Sequence, residues 1–135
     1  MSKETFLTER QLEILRLRKE GLSQAGIARR LGTTRANISA TEKSARENIE
    51  KAEKTVKLAQ MLEAVIWLKI EKDTDLNDVP KQIYERAGKE EIWVNLDTPT
   101  LMGVIKEGCR NKIKGRRITG EIEIAVTKDG DIIAR

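Results

Sequence analysis

Residues Leu22–Glu42 read LSQAGIARRLGTTRANISATE, and this stretch decides the fold of the first part of the chain. Ser23 is a favoured N-cap residue, so the pattern predicts a first helix over residues 24–31. Gly32 follows at the position where a tight turn needs a residue that tolerates a positive φ. With a second helix beyond it, this is the layout of a helix-turn-helix.

The second helix is predicted to start after Thr33 or Thr34, either of which can cap its first turn. Four apolar positions of the two helices can face inward together: Ile27, Ala28, Leu31 and Ile38. The polar residues that remain lie on a surface of mostly small side chains. In helix-turn-helix proteins the second helix enters the major groove of duplex DNA, so this surface is predicted to bind DNA.

The candidate DNA-binding residues lie on both helices and in the turn: Ser23, Gln24, Thr33, Thr34, Arg35, Asn37, Ser39, Lys43 and Arg46. Arg35 is the strongest candidate for a base contact, because a guanidinium can pair bidentately with guanine. Asn37 can do the same with adenine, or can instead face a phosphate or cap locally. Ser23 and Gln24 open a helix whose N-terminus favours phosphate, and Lys43 is a candidate backbone contact. Each of these residues also fits an ordinary exposed helix side chain.

A further helix is predicted just before the motif. Thr8 and Gln11 form a capping-box pattern that starts a helix near residue 9, and Gly21 lies where that helix should end. Apolar residues at helical spacing predict its buried stripe: Leu12, Ile14, Leu15 and Leu17. Three helices are the minimum that lets a helix-turn-helix bury a core, so this helix should cover the other two.

The helical pattern continues beyond residue 40. Five apolar residues recur at spacings of four and three, as in a short heptad seam: Ala45, Ile49, Ala52, Val56 and Ala59. One interpretation is an amphipathic helix that packs on its own domain. The other is a contact between two copies of the chain, which suits a regulator of a two-fold related site and makes the protein a possible homodimer.

In the second half the pattern changes to alternating strands and helices. β-rich runs predict strands at Ala64–Glu71, Ile92–Leu96, Glu121–Val126 and Ile132–Ala134, with a two-residue Asp-Gly turn between the last two. Asp78 is predicted to cap a helix that Gly88 ends, and Thr98 begins another just before a proline. The predicted fold class is therefore α+β, with an all-α helix-turn-helix domain over residues 1–62 and a small β-α-β-α-β-β domain over residues 63–135.

The charges are unevenly distributed along the chain, whose formal net charge is +4. Residues 1–62 carry 13 Lys and Arg against 8 Asp and Glu, whereas residues 63–135 carry 13 against 14. The basic excess lies with the helix-turn-helix, as expected of a surface that meets phosphates. A local excess of this size also fits ordinary solvated surface.

Residue types that catalysis or metal binding needs are scarce. Histidine is absent and Cys109 is the lone cysteine, so neither a structural zinc site nor a histidine-activated nucleophile is expected. Cys109 lies in an apolar-periodic stretch and is interpreted as a packed thiol. No phosphate loop or dinucleotide fingerprint occurs, so we expect no enzyme, no catalytic residue and no cofactor. Residues 1–7 lack a signal-peptide pattern and no apolar run could span a bilayer, which indicates a cytoplasmic protein.

Two features of the second half have alternative interpretations. Trp67 and Trp93 could stack on bases of single-stranded nucleic acid, but their β-rich surroundings favour the core or the hydrophobic face of a sheet. A basic cluster surrounds Gly115: Lys112, Lys114, Arg116 and Arg117. This cluster could bind an anion or flanking DNA, or could form a solvated loop.

The chain also resembles known families. The run LTERQLEILRLRKEGLSQAGIARRLGTTRANIS, followed by SARENIEKA, is similar to the helix-turn-helix that sigma-factor region 4 shares with response-regulator output domains. With TDLNDVPKQIYERA, VNLDTPTLMGVIKEG and KIKGRRI, nearly the whole chain resembles the Tfx family of archaeal DNA-binding transcriptional regulators. The resemblance implies sequence-specific binding to promoter-region DNA. One departure from a typical helix-turn-helix is Thr41, where an apolar residue is usual.

These observations predict a transcription regulator that binds double-stranded DNA sequence-specifically through a recognition helix near residues 34–46. The alternative is a nucleic-acid binder without sequence preference, for RNA or chromatin. The second half would dimerise, bind an effector or contact the transcription machinery, and no membrane partner is expected.

Overall fold

The computed structural model describes residues 4–135 and forms two compact units, an N-terminal unit that ends at Val56 and a C-terminal unit over residues 57–135. Residues 1–3 lie outside the described residues. They are the first three residues of the predicted N-terminal domain and of the segment that lacks a signal-peptide pattern. The N-terminal unit is helical and the C-terminal unit combines helices with small sheets. The predicted α+β fold class is therefore confirmed.

The N-terminal unit contains α1 (Glu9–Lys19), α2 (Gln24–Leu31) and the start of α3 (Arg35–Leu62), which continues beyond this unit. The predicted capping box precedes α1: the Gln11 N–H donates to Thr8 Oγ1 at 3.1 Å, and the Thr8 N–H donates to Gln11 Oε1 at 2.9 Å. Ser23 caps α2, because its Oγ accepts from the Gly26 N–H at 3.0 Å. Local polar side chains thus set where the first two helices begin.

The turn of the helix-turn-helix forms as predicted. Gly32 ends α2 with φ at 68°, in the left-handed region that glycine adopts without strain. Thr34, rather than Thr33, caps α3: its Oγ1 accepts from the Asn37 N–H at 3.0 Å. This hydrogen bond makes Arg35 the first residue of α3.

A small apolar core holds the three helices together. Its buried members are Ile14, Ile27, Ala28 and Ile38, and Leu17, Leu22 and Leu31 pack against them. All four inward positions predicted for the motif belong to this cluster. In the α1 stripe Ile14 is fully buried, whereas Leu12, Leu15 and Leu17 are half-buried. The first helix therefore covers the other two, as the sequence predicts.

The C-terminal unit contains a three-stranded antiparallel sheet in the order β1-β4-β5 and a separate hairpin of β2 and β3. The strands are β1 (Ile66–Ile70), β2 (Ile113–Lys114), β3 (Arg117–Ile118), β4 (Ile122–Val126) and β5 (Ile132–Ala134). The helices α4 (Val79–Lys89) and α5 (Thr98–Gly108) lie between β1 and β2 in sequence. Leu68 is opposite Ile124 in the sheet, and Ile124 is opposite Ala134.

Both helices and one face of the sheet enclose a larger apolar core. Its fully buried members include Ile70, Ile83, Leu101, Ile105 and Ile124. Cys109 is also buried there, as the packed-thiol interpretation predicts. Burial raises the pKa of the Cys109 thiol above its usual value, although Lys57 and Lys112 act in the opposite direction.

The strand predicted at Ile92–Leu96 is wrong, because this segment contains no regular secondary structure. Val94 is buried as a strand residue would be, but the segment meets the turn between β4 and β5 rather than the edge of a strand. A single backbone hydrogen bond from the Asn95 N–H to the Gly130 oxygen, at 3.2 Å, replaces a ladder. Trp93 is consequently 84% exposed, which contradicts its predicted place in the core or on the face of a sheet.

Asp78 occupies the N-cap position of α4 as predicted, but the structure differs in how this helix is capped and where it ends. Asp78 makes no side-chain cap hydrogen bond. Asp75 caps instead a short 3-10 turn ahead of α4, because its Oδ1 accepts from the Asn77 N–H at 2.9 Å. At the other end α4 passes Gly88, and Glu91 adopts the left-handed conformation with φ at 58°. The helix therefore begins where the sequence predicts and ends one residue after Gly88.

Two hairpins differ from the sequence-based expectation. Between β4 and β5 the Gly130 N–H bonds the Thr127 oxygen and Gly130 has φ at 86°, so Asp-Gly does not form the two central residues of the turn. The basic segment around Gly115, interpreted as a solvated loop, forms the β2–β3 hairpin, with Gly115 at φ 62°. Among residues 4–135 no helix combines the length and apolar character needed to cross a membrane.

Candidate DNA-binding surface

The first turns of α3 present a stripe of exposed polar side chains. Arg35, Ser39 and Lys43 follow one another at intervals of four residues, which places them along one side of the helix. The buried side of the same turns is marked by Ile38 and Ala45, neither of which has any exposed surface. The structure therefore brings three of the predicted contact residues together outside the core.

Asn37 does not belong to this stripe. Two residues along a helix correspond to a rotation of about 200°, so Asn37 and Arg35 extend from opposite sides of α3. The residues farthest from Ile38 around the helix are Ala36 and Ala40, each two positions away from it and exposed. This pair is absent from the predicted contact residues, although helical spacing from the predicted inward position of Ile38 places it on the outer side of the helix.

The hydroxyl groups of the motif are partly used within the protein. Ser23 and Thr34 each accept a backbone N–H as N-caps, and Thr33 is exposed beside them. A hydroxyl that accepts one hydrogen bond can still donate its own proton. Ser23 and Thr34 can therefore donate to a phosphate without losing their capping role.

A buried carboxylate, Glu42, joins all three helices. Its side chain is 6% exposed and pairs with Arg46 Nη2 at 2.6 Å and with Arg18 Nε at 3.2 Å. Gln24 Nε2 also donates to it, at 2.9 Å. Two predicted DNA contacts, Gln24 and Arg46, are thus held by Glu42. The sequence signal for this was an acidic residue in line with Ile38 on the apolar face of α3.

The hydrogen bonds determine the charge state of Glu42. Burial alone raises the pKa of its carboxyl, but the hydrogen bonds from Gln24, Arg46 and Arg18 outweigh burial and hold the pKa below its usual value. The group is therefore ionised at neutral pH. An ionised, fully hydrogen-bonded carboxylate fixes α3 against α1 and α2.

Thr41, the departure from a typical motif, is satisfied within its own helix. Its hydroxyl donates to the Asn37 oxygen at 2.8 Å, and the side chain is half-buried. This bond to the preceding turn leaves no buried polar group unpaired at the position. Thr41 therefore does not displace α3 from the core.

Several cations around the motif have no carboxylate partner among residues 4–135. They are exposed and lie on α2 and α3: Arg29, Arg30, Arg35 and Lys43. Unpaired cations on one unit are available to phosphate oxygens, the dominant partners in protein–DNA complexes.

The features of the C-terminal unit offer less to a nucleic acid. The Trp67 indole N–H donates to Glu123 Oε2, and the ring is half-buried. In the basic cluster Arg116 pairs with Asp75 at 2.8 Å and Arg117 pairs with Asp73 at 3.1 Å. Two of the four cations of this cluster are thus neutralised. Within residues 4–135 no group of three or more His, Cys, Asp or Glu is placed to hold a metal ion.

The fold and the site define a DNA-binding protein of the helix-turn-helix class, and comparison with known proteins agrees. Residues 6–51 match the family model of sigma-70 region 4, and residues 52–134 match that of the C-terminal part of the DNA-binding protein TFX. The chain belongs to the Tfx family of archaeal DNA-binding transcriptional regulators, so the predicted resemblance is confirmed.

The relatives match along nearly their whole length. The DNA-binding proteins Tfx of Methanothermobacter marburgensis and Methanothermobacter thermautotrophicus are each 42% identical over 133 residues, 98% of this chain and 96% of theirs. A Methanocaldococcus jannaschii protein, provisionally named a transcriptional regulatory protein, is 39% identical over 132 residues, with the same coverage. These names assign DNA binding and regulation to the relatives, and none of them names an enzyme.

Proposed function

We propose that the protein regulates transcription by binding a specific double-stranded sequence in promoter DNA through the first turns of α3. The observation that carries this proposal is the stripe of Arg35, Ser39 and Lys43, which is exposed, unpaired and located at the start of a helix that Glu42 fixes in place. A recognition helix contacts base edges with its N-terminal residues.

The arrangement supports distinct roles along α3. Arg35 reads a guanine, since its five donors are uncommitted and a guanidinium pairs bidentately with the guanine edge. Ser39 lies one turn further and reaches a base or a phosphate. Asn37 extends from the other side of the helix and contacts the opposite wall of the groove. Ala36 and Ala40 between these sides let the helix approach the bases closely.

The remaining predicted contacts are proposed to bind the DNA backbone. Ser23 and Gln24 start α2, whose N-terminus favours a phosphate, and Thr33 and Thr34 start α3. Gln24 keeps one amide proton, and Arg46 keeps one guanidinium nitrogen, after their bonds to Glu42. Lys43 supplies an uncommitted charge. These contacts set register on the duplex without reading sequence.

We also propose that the protein acts as a homodimer through α3. The apolar face of this helix is buried at Ala45 but becomes exposed beyond the three-helix core, to 36% at Ile49 and 57% at Val56. These residues belong to the predicted heptad seam, and a second copy of α3 would cover them. Two copies would place two recognition helices on a two-fold related site.

Residues 1–62 are proposed to form the DNA-binding part and residues 63–135 the part that responds to an effector or contacts the transcription machinery. The setting is the cytoplasm, where archaeal DNA lies. The alternative, a nucleic-acid binder without sequence preference, has less support because Trp67 is engaged by Glu123 and Trp93 lies among carboxylates.

The test is selection of bound duplexes from a random pool with the full chain. We expect one enriched motif, as two inverted half-sites about 10 base pairs apart, because a dimer repeats its contacts one helical turn along the DNA. A pool without enrichment, or equal competition by single strands and random duplex, would contradict sequence-specific binding and support the alternative.

The dimer is tested separately by sedimentation. Val56→Glu puts a charge into the seam, so we expect a monomer where the wild-type chain is a dimer. Its affinity for the palindrome should fall to about that for a single half-site. Val65→Glu, at an exposed valine of the C-terminal unit, is the matched control and should stay dimeric. An unchanged sedimentation coefficient for Val56→Glu would overturn dimerisation through α3.

A further inference from the structure

Trp93 is the most exposed large apolar side chain among residues 4–135, at 84%. It lies between α4 and α5, in the segment that carries no regular secondary structure. A tryptophan contributes a large apolar area, and aromatic residues of this kind dominate the energetics of protein interfaces. Nothing in the folding of this unit accounts for leaving it in solvent.

The backbone around Trp93 is nevertheless held firmly. Ile92 and Leu96 pack against the core of the unit, and Val94 belongs to it. The Tyr84 hydroxyl donates to the Leu96 oxygen at 2.8 Å, so the far end of the segment is tied to α4. The indole is therefore presented by an ordered segment with alternate side chains anchored inward.

The turn between β4 and β5 completes this support. Asn95 donates two hydrogen bonds to this turn, from its backbone N–H to the Gly130 oxygen and from Nδ2 to the Asp129 oxygen. Gly130 lies so close that a Cβ there would overlap the carbonyl oxygen of Trp93. Residues 91–97 and 127–131 thus form one rigid surface, called here the Trp93 platform. A preorganised surface binds with a smaller ordering cost than a mobile loop.

The charge of the Trp93 platform is negative. Its two segments, 91–97 and 127–131, together contain four carboxylates and one lysine. Glu91, Asp129 and Asp131 are exposed and form no ion pair with another residue of the described range 4–135. Such a surface repels phosphates and attracts cations, so its chemistry opposes nucleic acid and favours a basic protein segment.

We propose that the Trp93 platform is a docking surface for a Lys- or Arg-bearing segment of another protein. A cationic side chain of the partner stacks on the indole face, as cation–π pairs favour tryptophan above other rings. The three unpaired carboxylates pair with further basic groups at the rim. This surface lies outside the proposed DNA contacts, so the proposal goes beyond DNA binding.

The test uses random peptides displayed in a library and selected on the full chain, in the presence of excess random duplex DNA. We expect enrichment of peptides with Arg or Lys beside an apolar residue. Trp93→Ala should weaken a selected peptide about thirtyfold, the effect of losing one interface hot spot. Asp129→Asn with Asp131→Asn should weaken it less and reduce its salt dependence. Val65→Ala, which trims another exposed apolar residue, is the matched control and should leave binding unchanged.

Several outcomes would overturn the proposal. One is a selection that enriches no basic peptides, and another is a Trp93→Ala variant that binds a selected peptide as tightly as the wild type. A third is that Trp93→Ala loses binding to single-stranded DNA, which would make the surface a nucleic-acid site. Sedimentation that shows Trp93-dependent self-association would assign it to a second copy of this chain. Thermal unfolding of Trp93→Ala should match the wild type, because the side chain is exposed. Selection of duplex DNA does not involve Trp93, so failure here leaves the proposed function unaffected.

Discussion

The two units use their arginines in opposite ways. Every arginine of the C-terminal unit is paired with a carboxylate: Arg86, Arg110, Arg116, Arg117 and Arg135. In the described part of the N-terminal unit two arginines pair, both with Glu42, and five have no ion partner: Arg10, Arg16, Arg29, Arg30 and Arg35. Residues 1–62 and 63–135 each carry 13 Lys and Arg, so the number of basic residues does not distinguish the two parts of the chain. Arginines without an ion partner do distinguish the two units, because within the described residues 4–135 all of them lie in the N-terminal unit.

The largest effect is expected where the N-terminal unit does pair its arginines. Glu42→Ala leaves Arg18, Gln24 and Arg46 without their acceptor and should lower the free energy of unfolding by about 3 kcal/mol. Denaturant unfolding followed by circular dichroism measures this. Glu50→Ala is the control, because its exposed pair with Lys54 should contribute less than about 1 kcal/mol. Equal losses in both variants would show that the buried network is no stronger than a surface pair.

The next effect concerns the unpaired arginine at the start of α3. Arg35→Ala should cost about 1–3 kcal/mol of binding at the selected site and little on random duplex, because a base contact is lost. Electrophoretic mobility shifts on both duplexes measure it. Arg116→Ala removes a paired arginine of the C-terminal unit and should change neither affinity. A loss of equal size on both duplexes would reduce Arg35 to a phosphate contact.

A smaller effect is expected at Lys43, whose charge is also unpaired. Lys43→Ala should weaken binding to any duplex by a similar factor and reduce the salt slope of binding by about one. Titrations at a series of salt concentrations give this slope. Arg117→Ala, at a neutralised arginine, should leave the slope as it is. A Lys43→Ala variant that loses affinity only at the selected site would assign Lys43 to base reading.

The smallest effect is a pH dependence. The folded protein holds the pKa of Glu42 below that of the unfolded chain, so the stability from its ionised form is complete above the unfolded pKa, and it is lost as pH falls through the folded pKa. The difference in unfolding free energy between wild type and Glu42→Gln should therefore shrink on acidification. Denaturant titrations from neutral to acidic pH measure it. A difference that stays constant with pH would contradict the assignment.

The sequence contains enough information for the features that depend on neighbours in the chain. The capping box of Thr8 and Gln11, the cap at Ser23 and the turn at Gly32 each involve residues within one helical turn, and all three are confirmed. Strands β1, β4 and β5 follow from their β-rich runs. The sequence does not distinguish Thr33 from Thr34 as the N-cap of α3, since either hydroxyl could reach the first turn.

Features that depend on distant residues were not predictable in the same way. Residues 92–96 have a strand-like pattern, but the Asn95 N–H finds its acceptor 35 positions away, in the turn at Gly130. Glu42 lies in line with Ile38 on the apolar face of α3, but its partners Arg18 and Gln24 precede it by 24 and 18 residues, so the sequence does not identify them. For this reason the sequence predicts Gln24 and Arg46 simply as DNA contacts, whereas in the fold both side chains are hydrogen-bonded to Glu42.

One helix carries both the stripe that begins at Arg35 and the exposed part of the apolar seam, which begins at Ile49, so the number of residues between them sets the angle between the two. Each added residue turns a helix by about 100° and lengthens it by about 1.5 Å. A single residue inserted after Arg46 would swing the seam a quarter turn away and should uncouple pairing of the copies from palindrome binding. Seven inserted residues would return the seam to within about 20° while moving it about 10 Å along the axis. In the proposed dimer, insertions of whole heptads would therefore be the changes in the length of α3 that preserve the angle between the stripe and the seam.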